Sequence, residues 1–167
     1  MATGLRTMTA FRENSAINMK SNIKIEQISK KDAPSVAKIE KECFSTPFSE
    51  ANILEYISNP IWNFFVAKAG ENVLGYISFT KILDECQIVN VAVSPDTRKM
   101  GIGTLLIEKL LEHCKQNEVC KLFLEVRVSN IPAIKLYENF GFSAVGVSKN
   151  HYSLPTEDAL LMNLILE

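Results

Sequence analysis

Cysteine and long apolar runs are both scarce in this chain of 167 residues. The four cysteines are Cys43, Cys86, Cys114 and Cys120. No two of them have C-x-x-C spacing and only two histidines accompany them, so the sequence predicts neither a zinc site nor a disulfide scaffold. Apolar runs such as Ala159–Met162 are also far too short for a membrane span, which needs about 20 residues. We expect reduced thiols in a reducing, cytoplasmic compartment, with no metal and no membrane contact.

A strong excess of charge of one sign is missing as well. The chain has 18 Lys and Arg against 19 Asp and Glu, which gives a formal net charge of −1. Dedicated nucleic-acid binders are usually strongly basic, so direct binding of nucleic acid is not expected. Hydrophobic residues make up 47% and charged residues 22%, which is ordinary for one globular domain of this length.

The first twenty or so residues differ in composition from the rest. They are rich in Thr, Ala, Ser and Asn, and Glu13 is their single acidic residue. They lack the apolar core of a secretory signal and weakly resemble a transit peptide, although Met19 would also open a compact domain. We therefore predict an N-terminal extension or leader, expected to be flexible, over residues 1–21 and one domain over residues 22–167.

Apolar patterning along that domain predicts, in order, a strand, two helices, three strands, a helix, a strand, a helix and two strands. Gly70 to Asn72 reads as a hairpin turn between two of the strands, and an amphipathic helix follows Gly103. Antiparallel strands followed by a strand–helix–strand crossover predict an α/β domain with a mixed sheet of about seven strands.

The most informative segment joins the fourth strand to the long helix. The hydrophobic run Val89–Val93 enters a basic turn that contains Arg98 and Lys99, followed by Gly101 and Gly103. Glycines allow backbone amides to approach an anion closely, and a helix N-terminus adds N–H groups and a positive dipole end. The segment therefore predicts a cradle for phosphate or pyrophosphate.

Comparison of this loop with known phosphate-binding sequence patterns indicates which anion it binds. A Walker loop needs G-x-x-x-x-G-K followed by Ser or Thr, which is absent, and a dinucleotide loop needs a third glycine where Leu106 stands. The pattern Arg98-x-x-Gly101-x-Gly103 instead resembles the coenzyme A pyrophosphate loop of the GNAT superfamily of N-acetyltransferases. A tight strand-to-helix turn without a ligand is the structural alternative.

A second segment extends the resemblance. Leu124-Glu125-Val126-Arg127 is followed by Asn130, then by Leu136-Tyr137-Glu138 and Gly141-Phe142. This pattern resembles the RimI-type ribosomal-protein-alanine N-acetyltransferases, which acetylate the N-terminal α-amine of a protein. The resemblance covers Ile23 to Leu166. It implies the GNAT fold, a central mixed but mostly antiparallel sheet of about seven strands flanked by about four helices.

The resemblance also assigns roles to residues and implies acetyl-CoA as co-substrate, with no metal. It makes Glu125 the general base and Tyr137 the general acid that protonates the departing thiolate. The residues that it places against the co-substrate are Val91, Ala92, Val93, Arg98, Lys99, Met100, Gly101, Ile102, Gly103, Thr104, Asn130 and Tyr137.

Three of these residues have a structural alternative. Glu125 stands near Lys121 and shares a strand face with Arg127, so it would otherwise form a structural ion pair. Tyr137 would otherwise be a core tyrosine, and Asn130 would be the cap of its helix.

The acceptor side departs from the family pattern at two positions. Phe48 stands where the subfamily often has Trp, and His151 stands where a tyrosine is common. We expect an N-terminal peptide, from a ribosomal protein that begins with alanine, between residues 45–49 and 148–156. Two alternatives stay open: acetylation of a small amine or a lysine side chain, and a non-catalytic module that binds acyl-CoA.

Overall fold

The computed structural model describes residues 22–167, so the extension predicted over residues 1–21 lies outside them. The strands are β1 (Ile23–Gln27), β2 (Trp62–Ala69), β3 (Asn72–Ile82), β4 (Glu85–Val93), β5 (Lys121–Arg127), β6 (Ser143–Ser153) and β7 (Thr156–Ile165). The helices are α1 (Ala33–Cys43), α2 (Glu50–Ile57), α3 (Ile102–Gln116) and α4 (Ile131–Asn139). The order of elements is the predicted one, and only two short 3-10 turns, Lys30–Asp32 and Pro95–Thr97, are added.

All seven strands belong to one sheet with the order β1-β2-β3-β4-β5-β7-β6. β1 to β4 form an antiparallel meander, and α3 then carries the chain over to β5, which runs parallel to β4. β7 pairs antiparallel with both β5 and β6. The predicted α/β class and the mixed, mostly antiparallel sheet are therefore confirmed.

The helices cover both faces of the sheet, and this follows from strand alternation in β2. Phe65 and Ala67 join the core that includes α3, whereas Phe64 and Val66 join the core that includes α1 and α2. Successive side chains of a strand point to opposite faces, so a strand covered on both sides reads as a continuous apolar run. Within the described residues no helix is long and apolar enough to cross a membrane.

The last hairpin is longer than the sequence predicts. The apolar pattern of the sequence predicts a sixth strand over residues 142–147 only, whereas β6 continues to Ser153. β6 is one of the two edge strands of the sheet, and its pairing with β7 shifts between Ser148 and Tyr152, where Asn150 adopts a φ of 51°. This irregularity breaks the alternation that would reveal a strand. Residues 148–156 are therefore the end of a β-hairpin.

Candidate active site

The two central strands of the sheet are paired over only part of their length. β4 and β5 lie side by side where Glu85–Ile88 face Lys121–Leu124, and no pair joins their later residues. On the other edge of β4, Val89 is an extra residue between the pairs Phe79–Ile88 and Ser78–Asn90, which is a β-bulge. The strands diverge at this bulge, and the facing edges of their backbones are left for another partner.

A cleft of about 410 Å³ opens where the strands diverge. It brings together four of the predicted site residues, which are Val91, Glu125, Asn130 and Tyr137. The wall opposite β5 consists of the end of α1 and the segment that follows it, Cys43–Thr46 and Phe48, and β6 adds His151 and Tyr152. Within residues 22–167 no group of three or more His, Cys, Asp or Glu side chains could hold a metal ion.

Glu125 faces this cleft from β5, and its charged partner is not one that the sequence predicts. Lys121 pairs with Glu85 at 3.5 Å and Arg127 pairs with Glu157 at 3.0 Å, so neither predicted ion pair with Glu125 forms.

Instead, the Nε2 atom of His151 lies 3.0 Å from Oε2 of Glu125. The side chain of Glu125 is 38% exposed and that of His151 is 32% exposed, so solvent reaches both of them. Glu125 is thus an accessible carboxylate with an imidazole beside it.

Tyr137 is a core residue that also lines the cleft. It is only 6% exposed and packs edge-on against Phe142, with a ring separation of 5.7 Å, yet it also lines the cleft. Burial, with a smaller contribution from Tyr152, raises the pKa of the Tyr137 phenol above its usual value. The hydroxyl therefore stays protonated at neutral pH.

Asn130 is the N-cap of α4, as the structural alternative expects. Its Oδ1 atom accepts a hydrogen bond of 3.3 Å from the backbone N–H of Ala133. Asn130 also lines the cleft, so its Nδ2 amide is the group that a ligand there would meet.

The predicted phosphate loop follows β4 and lies outside the lining of the cleft. Gly101 is the N-cap of α3 with a φ of 81°, and no side chain caps the helix there. Lys99 also has a positive φ, of 65°. The first N–H groups of α3 are therefore available to an anion, beside positive charge from Arg98 and Lys99.

The two glycines of this loop are needed for different reasons. A β-carbon at Gly101 would meet nothing within 4 Å, so its left-handed backbone is what favours glycine. A β-carbon at Gly103 would lie 3.1 Å from Cδ2 of Leu136, so close packing of α3 on α4 favours glycine there. The sequence predicted a single reason, approach to phosphate, for both.

The remaining predicted residues hold the loop against the sheet. Nε of Arg98 lies 3.4 Å from the carbonyl oxygen of Val93, and its Nη2 lies 3.4 Å from Sγ of Cys43. The side chain of Ala92 is buried in the core beneath α1 and α2. Ala92 and Val93 are therefore placed to contribute backbone groups rather than side chains to a ligand.

Sequence analysis missed one residue of this region, Glu40 of α1. Glu40 is completely buried and accepts hydrogen bonds of 2.8 Å from the backbone N–H of Phe48 and from Nδ2 of Asn90. Burial raises the pKa of its carboxyl group. A signal was present, because Glu40 lies four residues after Val36 and three before Cys43, on the apolar stripe of the helix.

Comparisons with known proteins agree with this geometry. Residues 33–142 match the model of the acetyltransferase (GNAT) family. A Bacillus subtilis (strain 168) protein that provisionally bears the name ribosomal protein bS18-alanine N-acetyltransferase is 34% identical over 145 residues, which is 86% of this chain and 96% of that protein. The ribosomal protein bS18-alanine N-acetyltransferase of Escherichia coli (strain K12) is 33% identical over 144 residues, 84% of this chain and 95% of that protein. The crystal structure of the Escherichia coli ribosomal-protein-S18-alanine N-acetyltransferase aligns with a TM-score of 0.80 at 30% identity, over 87% of this chain and 94% of that one.

Proposed function

This chain belongs to the acetyltransferase (GNAT) family, and we propose that it transfers an acetyl group from acetyl-CoA to the N-terminal α-amine of a protein. The observation that carries the proposal is the meeting of Glu125 and Tyr137 in one cleft, at the point where β4 and β5 diverge. The cleft thus offers a proton acceptor and a proton donor beside unpaired backbone. The resemblance to this family that the sequence suggested is confirmed.

The donor side fits acetyl-CoA, which would supply the acetyl group as a reactive thioester. The uncapped N-terminus of α3, with Arg98 and Lys99, is suited to the pyrophosphate. The unpaired edge of β4 at Val91 is suited to the amide-bearing pantetheine arm, and Asn130 provides a further polar group beside it. A backbone N–H of β4 would also polarise the thioester carbonyl.

The acceptor is proposed to be a ribosomal protein that begins with alanine, modified in the cytoplasm. Curated relatives that are 33 to 34% identical carry the name of that activity. Phe48 and Tyr152 line the cleft beside Glu125, so the space for the first side chain is bounded by two aromatic rings. A small first residue such as alanine or serine suits a site of this kind.

Two proton transfers are assigned to this chain. The carboxylate of Glu125 accepts a proton from the α-ammonium group, which makes the amine nucleophilic. The hydroxyl of Tyr137 holds the proton that the departing sulfur takes up, and its raised pKa keeps it in the donor form.

An α-amine suits this machinery better than a lysine side chain does. An N-terminal ammonium has a pKa of about 7.7–8.0 and a lysine ammonium about 10.4, so deprotonation at pH 7 costs about 1 kcal/mol in the first case and about 4–5 kcal/mol in the second. Glu125 is a single carboxylate that solvent reaches. As the base it has to remove a proton only from the α-ammonium group, which is the less costly of the two deprotonations.

Mass spectrometry of peptides incubated with acetyl-CoA tests this function. Peptides with a free N-terminal Ala or Ser should gain one acetyl group at the α-amine. The same peptides, blocked at the N-terminus and carrying an internal lysine, should remain unmodified. Faster acetylation of the blocked lysine peptides would contradict the α-amine assignment, and no acetylation of any peptide would favour the alternative of a non-catalytic acyl-CoA-binding module.

A further inference from the structure

Glu40 is a completely buried carboxylate without a cationic partner among the ion pairs of residues 22–167. Its Oε1 atom accepts from Nδ2 of Asn90 and its Oε2 atom accepts from the backbone N–H of Phe48, both at 2.8 Å. Burying a carboxylate is costly unless hydrogen bonds compensate for the lost water. Packing alone therefore does not explain why the carboxylate of Glu40 is buried here.

The first branch of this network ends at the β-bulge of β4. The backbone N–H of Asn90 donates a hydrogen bond of 3.2 Å to Oγ of Ser78, a buried residue of β3. Asn90 directly follows the bulged residue Val89, and β4 is no longer paired with β5 from this point onward. Glu40 thus holds the side chain of Asn90 where β4 leaves β5.

The second branch ends on the opposite wall of the cleft. Phe48 lies between α1 and α2, and its ring packs edge-on against Tyr56 and Trp62 at 5.2 and 6.1 Å. Phe48 also lines the cleft. The hydrogen bond from its backbone N–H to Glu40 is the polar contact that ties this segment to the buried carboxylate.

We propose that Glu40 is a positioning residue that fixes the Phe48 wall against the bulged part of β4, and so sets the width of the cleft for the acceptor peptide. The kinetic part of this inference rests on the proposed function. Glu40 has both oxygens occupied and does not line the cleft, so it is not assigned a proton-transfer role.

The chemistry of the two partners explains why an acceptor group is needed at this position. Both partners of Glu40 are N–H donors, and a carboxylate offers two acceptor oxygens and no donor. Methionine has a similar length but offers no comparable acceptor, so both N–H groups would lose their partner. Glutamine keeps an acceptor oxygen for Phe48, and its amide can donate to Oδ1 of Asn90 once the Asn90 amide turns over. A role confined to packing would tolerate methionine, whereas the positioning role would not.

Two substitutions at the same position test this inference. Glu40→Met keeps the length of the side chain but removes both acceptor oxygens. Glu40→Gln removes the charge but keeps an acceptor for Phe48, so it is the conservative variant. The matched control is Glu42→Met, since Glu42 lies on the same helix and has only a weak, exposed contact of 3.9 Å with Lys38.

Two readouts are measured on each variant. Amide hydrogen exchange of Phe48 in ligand-free protein should accelerate about tenfold or more in Glu40→Met, because its N–H loses its acceptor. The KM for an N-terminal alanine peptide should rise about tenfold, while kcat changes little, because a buried N–H group without a partner costs roughly that factor. Both values should stay close to wild type in Glu40→Gln and in Glu42→Met.

Wild-type exchange and wild-type KM in Glu40→Met would overturn the inference, as would a Glu40→Gln variant that is as impaired as Glu40→Met. A wild-type protein that acetylates no peptide would instead contradict the proposed function. The exchange rates of Phe48 would then still decide whether Glu40 fixes this wall.

Discussion

The two sides of the cleft are built from different parts of the polypeptide. The donor side consists mainly of backbone, namely the unpaired edge of β4 in the cleft and, outside the cleft lining, the uncapped N-terminus of α3. The acceptor side consists of side chains from three distant segments, which contribute Phe48, Glu125 and His151. A backbone site tolerates many side chains but depends on the local conformation of the chain, whereas a side-chain site depends on residue identity.

Rigidity of the acceptor side comes from Arg127 of β5. Its guanidinium lies 4.2 Å from the ring centroid of Tyr152, pairs with Glu157 at 3.0 Å, and donates to the carbonyl oxygens of Leu154 and Pro155. Arg127 therefore fastens the tip of the β6–β7 hairpin to β5. The cleft-lining ring of Tyr152 is therefore held by its contact with Arg127.

The largest effect is expected from a side chain on the acceptor side. Glu125→Gln keeps the shape of the residue but cannot accept a proton, and a positioned base contributes about 10²–10⁴-fold to the rate. We expect kcat to fall within that range in steady-state assays with an N-terminal alanine peptide. The affinity for acetyl-CoA, measured by calorimetry, should be unchanged.

Glu85→Gln is the matched control for this substitution. Glu85 is also a strand glutamate with an exposed ion pair, to Lys121, but it lies where β4 and β5 are still paired. Its replacement should leave kcat near the wild-type value. If kcat falls comparably in both variants, or stays near the wild-type value in both, Glu125 is not the base.

The contrast between a donor side built from backbone and an acceptor side built from side chains also explains how much the sequence could predict. The order of all seven strands and four helices along the chain follows from local patterns, as does the helix cap Asn130. The phosphate loop is also local, because its conformation and its glycines lie within six consecutive residues, Arg98–Gly103. Backbone sites of this kind leave a short signature in the sequence.

Contacts between distant segments leave no such signature. The pairing of His151 with Glu125 joins β6 to β5, and the pairing of Glu40 with Asn90 joins α1 to β4. Local patterns cannot show which side chains the folded sheet brings together. The one hint was a charged residue on the apolar stripe of α1, which shows that Glu40 is buried but not which residues bind it.

A smaller effect is expected from the backbone of the donor side. Gly101→Ala places a β-carbon in open space, but the alanine has to adopt the left-handed φ of 81°. That conformation costs about 1–2 kcal/mol for an L-residue. If the loop relaxes to relieve this strain, acetyl-CoA affinity should fall about tenfold in calorimetry. The KM for the peptide should stay close to wild type.

The turn between β2 and β3 offers a control that has the same backbone strain but does not line the cleft. Gly70 has a φ of 61° and also has nothing within 4 Å of a β-carbon. Gly70→Ala should lower the thermal midpoint as much as Gly101→Ala does, yet leave acetyl-CoA affinity intact. Equal losses of affinity in both variants would mean that the glycine at position 101 acts through overall stability.

The smallest effect is expected from the wall that faces the peptide. Phe48→Leu removes a ring that lines the cleft but keeps the backbone N–H that binds Glu40, so the wall should stay in place. We expect the peptide KM to rise about threefold, the scale of one lost aromatic contact, with acetyl-CoA affinity unchanged. Tyr56→Leu is the control, because Tyr56 stacks on Trp62 at 4.2 Å in the same aromatic cluster without lining the cleft. It should lower stability and leave the peptide KM at wild type, and an equal rise in both variants would show that the cluster acts through packing rather than through contact with the peptide.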